Sequence, residues 1–435
     1  MTDTIAAIST GSSVCAIGIV RISGPCAIQS ARVLFSPFPN EERKLVYGRL
    51  HTAAGELLDL CMCTFSRAPC SYTGEDTVEF QCHGSPVLLE AVLEELFALG
   101  VRQALPGEFT KRAFLNGKLE LTDAEAVADI IDSENIESTK NAARQLGGAM
   151  SSKLNETYSG LLDICSHFHA VLDYPDEDIE DFQIAGYRSF LDDNIRSLEI
   201  LLESYERGKF LNNGVPTVIA GLPNSGKSSL LNALLGYERA IVTSVPGTTR
   251  DTIEEKIRLK SIALRLVDTA GIRDSKDEVE KIGIERTKQA IEQAELVILV
   301  CDGTQPKGEM PEIPKGKKCV IVYNKCDLPE FKGGDLNISA KTGEGIENLV
   351  SVIETMFQNS GADSSFVLTN SRHAEAVKLS ISYLRASVEA LSSGATPDIV
   401  LTEVEGALNS IGLLTGASLT ADVTDRIFSR FCVGK

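Results

Sequence analysis

The segment Gly221-Leu222-Pro223-Asn224-Ser225-Gly226-Lys227-Ser228 constrains this chain more than any other. It fits the pattern G-x-x-x-x-G-K-[ST]. The apolar run Val215 to Ala220 before it reads as a strand, and Ser229 to Leu235 after it reads as the start of a helix. That order has a physical reason. Glycines let successive backbone N–H groups curl around a phosphate, and the helix N-terminus adds its dipole. Lys227 is placed to reach β- and γ-phosphates, and the Ser228 hydroxyl to ligate Mg²⁺.

Three further segments fit the same chemistry. Asp268-Thr269-Ala270-Gly271 follows the apolar strand Ile262–Val267, where a metal-side carboxylate and a γ-phosphate-sensing glycine belong. Asn324-Lys325-Cys326-Asp327 ends the run Cys319–Tyr323. Its aspartate can accept two hydrogen bonds from a guanine N1–H and N2–H₂, a pattern adenine does not offer. Ser339-Ala340-Lys341 follows another short strand and is expected to set a backbone N–H on the guanine oxygen. Four such segments, each at the carboxyl end of a predicted strand, match the binding edge of a doubly wound sheet. They predict an α/β P-loop GTPase domain that binds GTP and GDP through Asn224, Ser225, Gly226, Lys227, Ser228 and Ser229, together with those three segments.

The chain is longer than that domain. Its 435 residues suggest about three domains. Net charge is −19, from 42 basic and 61 acidic residues, which argues against a general nucleic-acid binder. The acid is uneven. Asp173 to Asp181 is a dense block, expected to be a solvated loop or helix start. Arg102, Lys111, Arg112 and Lys118 cluster where acids are few and suggest a local basic face. No segment approaches the ~18 apolar residues of a membrane span. Met1-Thr2-Asp3-Thr4 lacks the basic region of a secretory signal. Eleven scattered cysteines suggest reduced thiols, and the chain is expected to be cytoplasmic. Cys61-Met62-Cys63 and Cys82-His83 admit a metal, but the first pair alternates like a strand and no C-x₂-C pair occurs, so buried thiols are the expectation.

Helical patterning supplies the domain organisation. Leu191, Ile195, Leu198, Leu202 and Tyr205 share one helix face, as do Val377, Ile381, Leu384, Val388 and Leu391, and also Leu401, Val404, Leu408 and Ile411. Residues from about Asp123 to Leu172 read mainly as helix, whereas strand-like runs such as Ile5–Ile8, Ala16–Ile22 and Val78–Cys82 fall in the first 120 or so. The expected fold is multidomain: an α+β N-terminal domain over 1–119, a discontinuous helical domain over 120–211 and 360–435, and an inserted GTPase domain over 212–359. Gly208 to Pro216 and Gln358 to Ser365 are the expected junctions.

Ras-like proteins carry a water-positioning glutamine directly after the Asp-x-x-Gly motif; here that position is Ile272. An apolar side chain does not orient water, so the catalytic group must come from elsewhere. Asp277, Glu278 and Glu280 are candidates. Arg250 and Arg273 are the nearby arginines, and neither is placed as a finger by sequence. Two readings of Asn224 stay open: its oxygen holds a cation against the phosphates, or its side chain satisfies loop backbone.

Several segments resemble the tRNA modification GTPase MnmE (TrmE) family over essentially the whole length. They are Asp3–Ile8, Gly18–Gly24, Tyr72–Asp76, Cys82-His83-Gly84, Pro106–Thr110, Ala113–Lys118, Gly221–Ser228, Gly247–Asp251, Asp277–Glu280 and Phe431–Lys435. The resemblance implies a K⁺-activated GTPase that hydrolyses GTP to GDP and phosphate. With the flavoprotein MnmG (GidA) it installs an aminomethyl or carboxymethylaminomethyl group at C5 of the tRNA wobble uridine. The one-carbon unit comes from a tetrahydrofolate derivative (5-formyl- or 5,10-methylene-).

By residue, Arg21, Glu79, Lys118 and Lys435 match the family's folate contacts, although Arg21 and Glu79 also suit an ordinary ion pair. Cys432 matches a near-terminal cysteine suspected of catalysis, with a buried structural thiol as the other reading. Asn224, Thr243, Val245 and Thr248 match K⁺ ligands, in a GTP-side segment that also includes Ser244, Pro246 and Gly247. Thr249 joins Ser228 on Mg²⁺, and Glu280 matches the residue that orients attacking water. The resemblance also implies a homodimer formed through the N-terminal domain. One stretch departs from the family: its Pro/Gly/Arg-rich turn after the first strand is here Ser9 to Cys15. Two other functions fit the same motifs, a regulatory or ribosome-assembly GTPase whose extra domains only bind RNA, and a folate-dependent one-carbon enzyme with a vestigial GTPase.

Overall fold

The structure, a computed structural model, describes every residue except 1–2, 12, 175–183, 238–255, 268–287, 306–312, 315, 358–365, 418–423, 425–426, 430 and 435. The molecule divides into two compact units. One comprises Met1–Ala128, Gln145–His167 and Leu408–Lys435; the other comprises Asp129–Arg144 and Phe168–Ala407.

In the first unit the chain alternates apolar and polar residues over short runs, and these become the strands β1 (Ile5–Ile8), β2 (Cys15–Ser23), β3 (Phe35–Ser36), β4 (Val46–His51), β5 (Leu57–Ser66), β6 (Thr77–Gly84) and β7 (Arg102–Gln103). They form one sheet in the order β3-β4-β5-β6-β2-β1-β7, antiparallel except for the β1–β7 pair. Period-two alternation decides which face is buried. Cys61, Cys63 and Phe65 of β5 and Val78, Phe80 and Cys82 of β6 point into a core shared with Leu89, Val92 and Leu96 of the helix Pro86–Ala98. Each large aliphatic side chain so buried contributes about 1.5–3 kcal/mol. Near β1, Ile5 and Ala7 pack with Ala104 and with Phe109 of the helix Glu108–Leu115. The chain returns to this unit at its end, where Phe428 and Phe431 pack with Leu121 and Ala124.

The second unit holds a five-stranded sheet of β8 (Val215–Ala220), β9 (Lys256–Arg258), β10 (Ala263–Leu266), β11 (Leu296–Asp302) and β12 (Lys318–Asn324). Their order is β12-β11-β8-β10-β9, parallel except for β9. The strands are nearly continuous Val, Ile and Leu because a parallel sheet is covered on both faces. The helices Ile184–Asn213 and Ser371–Ser393 of this unit pack against each other, and their predicted apolar faces are seen: Leu191, Leu198, Val377 and Leu384 are all essentially inaccessible.

The first predicted junction is corrected. Gly208 to Asn213 remains helical, and only Gly214 breaks the backbone before β8. Gly208 serves close packing rather than flexibility, since a Cβ there would stand 2.0 Å from the Leu368 carbonyl oxygen. Both ends of the inserted sheet are pinned beside this helix. Asn135 Nδ2 donates to Leu211 O (3.2 Å), the Ser138 hydroxyl donates to Asn212 Oδ1 (2.6 Å), and Asn141 exchanges two hydrogen bonds with the Val367 backbone (3.0 and 2.9 Å). The second predicted junction, Gln358 to Ser365, lies outside the described residues, as does most of the acidic block after Asp173.

Candidate nucleotide site and the N-terminal cluster

The helix after β8 runs Lys227–Tyr237, so it starts two residues earlier than predicted, inside the glycine-rich loop itself. This directs the first free N–H groups of the helix into the loop, where an anion is stabilised. Asn224 has φ +61°, a left-handed conformation that asparagine tolerates, and its side chain is exposed without a hydrogen bond to any described residue. The reading in which that side chain satisfies loop backbone is therefore not seen. Lys227 Nζ donates to the carbonyls of Gly221 and Leu222, both at 3.0 Å, and burial holds its ammonium below the usual lysine range. Ser225 Oγ is buried without a hydrogen-bond partner.

Asn324, at the end of β12, joins the predicted segments. Its Nδ2 donates to Ser225 O at 2.9 Å, and its Oδ1 accepts from Lys325 N at 2.8 Å and Ala340 N at 3.0 Å. One buried amide thus ties the phosphate loop to both guanine segments. The geometry explains the second glycine of the loop: at Gly226, with φ +96°, a Cβ would lie 2.1 Å from Asn324 Nδ2. Within Ser339-Ala340-Lys341 the Ala340 N–H is given to Asn324, which leaves the Lys341 N–H as the segment's donor toward a guanine oxygen. The short strand predicted before this segment shrinks to a single bridge, Tyr323 to Asn337.

Asp327 is exposed at the loop surface. The Ser339 hydroxyl donates to it and holds its carboxyl below the usual range, so it stays an anion ready to accept from a donor edge. Lys325, at φ +71°, pairs with Asp302 at 2.6 Å. Burial opposes ionisation of Asp302, but hydrogen bonds from Lys325 and Thr304 keep its carboxyl depressed. Sequence reading missed Asp302; the available signal was an aspartate ending an apolar strand just before Gly303. Ser228 and Ser229 are exposed on the first helical turn. Thr243 to Thr249, Asp268 to Gly271 and Glu280 lie outside the described residues, together with Arg250, Ile272, Arg273, Asp277 and Glu278.

In the first unit, Arg21 and Glu79 are register partners on β2 and β6 and form an ion pair at 2.8 Å. The Arg21 guanidinium lies 5.5 Å from the Tyr72 ring centroid and 5.6 Å from that of Phe109. Tyr72 bonds Thr110 through its hydroxyl (3.0 Å), and Asn116 Nδ2 donates to Thr73 O (2.7 Å). The segments Tyr72–Asp76, Pro106–Thr110 and Ala113–Lys118 therefore converge beside Arg21, with Lys118 exposed at their edge.

The C-terminal tail reaches the same region. Gly107 N donates to Cys432 O (3.2 Å), and the Ser9 hydroxyl donates to Gly434 O (3.0 Å). The divergent turn thus has a use: Ser9 holds the tail, and Thr10 Oγ1 accepts from Ile19 N (3.2 Å). Lys435 is not among the described residues. Cys432 is exposed, which removes the buried-thiol reading.

The expected basic face is also corrected. Arg112 is fully buried, with ion pairs at 3.0 Å to each of Asp3, Glu75 and Glu108. Arg102 is paired with Asp3 (2.6 Å) and Glu108 (2.7 Å). Asp3 and Glu75, distant in sequence, and Glu108, within the run itself, neutralise what looked like a basic run.

A glycine-rich loop between strand and helix, bound through one asparagine to a second loop that carries an exposed aspartate, defines a P-loop protein of the guanine-nucleotide class. Family models extend this to the rest of the chain. One described as the MnmE helical domain matches residues 121–432, and one described as the N-terminus of the GTP-binding protein TrmE matches 4–118. The tRNA modification GTPase MnmE of Carboxydothermus hydrogenoformans is 40% identical over 460 residues, covering 100% of both chains. That of Akkermansia muciniphila is 40% identical with the same coverage, and that of Clostridioides difficile is 38% identical, covering 100% of this chain and 99% of its own. The chain belongs to the MnmE family. Among solved structures, the G domain of the T. maritima FeoB iron transporter aligns with 33% of this chain at 28% identity and a TM-score of 0.23, too low to bear on the fold. No described helix is long and apolar enough to cross a membrane.

Proposed function

We propose that this protein is a GTP hydrolase that acts in tRNA modification. The observation that carries the reading is the Asn324 side chain, which locks the phosphate loop and the two guanine segments into one site. In that site Asp327 reads the guanine donor edge, Lys227 turns from the loop carbonyls to the β- and γ-phosphates, and Glu280 orients the attacking water.

The described residues suit both metals that the resemblance implies. Ser228, exposed at the helix start, would hold Mg²⁺ through its hydroxyl, and Asn224 has an exposed, uncommitted amide for K⁺; the resemblance adds Thr249 for Mg²⁺ and Thr243, Val245 and Thr248 for K⁺. When bound, the two cations neutralise charge that develops on the phosphate oxygens, the part an arginine finger plays elsewhere. The finer reading adds a tetrahydrofolate derivative at Arg21, Glu79, Lys118 and Lys435. It also adds a homodimer, and joint action with MnmG at the wobble uridine. Arg21 supports the folate part, since it is stacked, oriented and only partly buried, so a folate carboxylate can share it with Glu79.

GTP hydrolysis by the full chain in matched K⁺ and Na⁺ buffers tests the cation site. The expected loss in Na⁺ is on the order of 10²-fold, the size seen when a charge-stabilising group is removed; equal rates would refute the Asn224 assignment. Glu280→Ala should lower turnover by about 10²–10⁴-fold while GTP binding survives. Wobble uridines that stay modified in a deletion strain would sink the tRNA assignment itself.

A further inference from the structure

The antiparallel register that pairs Met62 with Gln81 brings Cys61 of β5 opposite Cys82 of β6, with their sulfurs 3.9 Å apart. Asp59 lies two residues before Cys61, on the same face of β5, and one of its carboxylate oxygens is within 4.8 Å of both sulfurs. Among the described residues this is the one group of three or more His, Cys, Asp or Glu ligand atoms gathered so closely. Two thiolates bound at about 2.3 Å in a tetrahedral zinc site stand about 3.8 Å apart, so the observed sulfur spacing already equals one edge of that tetrahedron.

The support around the carboxylate is of the kind that metal sites carry. Asp59 accepts from Leu60 N (2.8 Å), His83 N (2.9 Å) and His83 Nδ1 (2.8 Å). A carboxylate has about four lone-pair sites, so one stays open. These bonds outweigh the cost of burial and hold Asp59 ionised below the usual range. His83 then acts as the outer partner that fixes a ligand's orientation. The helix Pro86–Ala98 contributes apolar Leu89, Val92 and Leu93 to the core that holds both sulfurs, and the remaining titratable neighbour is Cys63, also buried. The hydrogen bond with Cys61, together with burial, pushes the Cys82 thiol up.

We infer that Asp59, Cys61 and Cys82 form a site for a zinc-type divalent cation, which clamps β5 to β6. The binding step forms two metal–sulfur bonds and one metal–oxygen bond, breaks two S–H bonds, and releases two protons to solvent. Three protein ligands would leave a fourth position for water. This site lies outside the nucleotide and folate assignments and does not depend on them.

Cobalt alone, titrated into the reduced full-length protein, tests it. One equivalent should bind with thiolate-to-cobalt charge-transfer absorption, and Zn²⁺ should displace it. Apparent affinity should rise with pH, because thiol ligands give up their protons on binding. Cys61→Ser and Cys82→Ser should each abolish the band, whereas Cys15→Ser and Cys26→Ser, at exposed thiols, should keep it. If a buried serine perturbs folding, the near-isosteric Asp59→Asn still has to weaken binding, and His83→Gln should cost about 10–100-fold. The assignment is overturned by a wild-type protein that shows no charge-transfer band, by a band that survives Cys61→Ser or depends on Cys15 or Cys26, or by a Cys61–Cys82 disulfide forming in a protein whose reduced form takes no cobalt.

Discussion

In the five-stranded parallel sheet, Ser225, Asn324 and Ala340 meet because the loops that carry them leave the same sheet edge. In the seven-stranded antiparallel sheet, Arg21 meets Glu79, Arg112 meets Asp3 and Glu75, and Ser9 meets Gly434, groups drawn from both ends of the chain. A parallel sheet collects chemistry in contiguous tetrapeptides; an antiparallel one collects it by register and by tail return. The two regions also use charge differently. The nucleotide edge keeps Asp327 exposed, whereas the N-terminal cluster spends its acids on a buried arginine.

The largest expected effect lies in that buried network. Removing Arg112 leaves Glu75 and Glu108 facing each other without their shared cation, and breaking a buried pair from one side costs about 3–5 kcal/mol. In Arg112→Met the unfolding transition of the N-terminal unit should therefore fall by roughly 10 °C, with GTP affinity unchanged. The pH dependence has a definite sign. Glu108 resists burial through Arg102, a backbone bond and Arg112, while Asp3 is held down first by Arg102; both carboxyls are depressed in the folded protein. Their stabilisation is present above the ordinary carboxylate range of about 3.9–4.3 and is lost as pH falls through the lower folded values. Acid melting of the wild type should show this loss, and the variant should show less of it. A variant that melts like the wild type would dissolve the contrast between the two sheets.

The second effect probes the nucleotide edge. Asn324→Ala orphans Ser225 O and the N–H groups of Lys325 and Ala340, each otherwise paired. At about 1 kcal/mol per hydrogen bond or more, the loss sums to roughly 2–4 kcal/mol, or about 30- to 1000-fold in GTP affinity. Titration with a fluorescent GTP analogue reads it directly. Retained affinity would mean that the loops hold their places without the asparagine.

These two regions also differ in how far the sequence could be read. The P-loop, the Asn324 segment and the Ser339 segment were legible because each is a local run of residues, the P-loop set between a strand and a helix and the Asn324 segment at a strand's end. What was not legible is what those residues do to each other, such as the Ala340 N–H turning to Asn324, or Gly226 making room for an amide ninety-eight residues later. At the N-terminal cluster almost nothing was legible from spacing. The run Arg102 to Lys118 looked basic because Asp3 and Glu75, which neutralise it, are remote, and only tertiary structure brings them in. Likewise Gly208 read as the start of a domain junction, since close packing against Leu368 leaves no local signature.

A smaller effect tests the tail. Its backbone is held by Gly107 and Ser9, so Lys435 follows directly on an anchored Gly434. If its cation meets a folate carboxylate, deleting Lys435 should lose a charge-assisted bond of about 1.5–3 kcal/mol, roughly 10- to 150-fold in affinity for 5-formyltetrahydrofolate. Unchanged affinity would show that the tail only packs. The GTP site should not respond, which keeps the two regions experimentally separate.

The smallest effect concerns Asp302, the acid that sequence reading passed over. Its pair with Lys325 is partly open to water, with side chains 18% and 31% exposed, so solvent screens it and the bond contributes no more than about 1 kcal/mol. Asp302→Asn should weaken GTP binding about fivefold or less, by loosening the left-handed turn at Lys325 rather than by touching nucleotide. Because the folded carboxyl is depressed, its contribution is complete above about 3.9 and disappears only as pH drops below that value. The wild-type advantage should thus stay flat from mildly acidic to neutral pH, and it should shrink as salt is raised. A deficit that grows toward neutral pH, or that ignores salt, would instead make Asp302 a direct ligand of the site, and the nucleotide edge would then differ from the N-terminal cluster in directing its acids at the nucleotide rather than at its own scaffold.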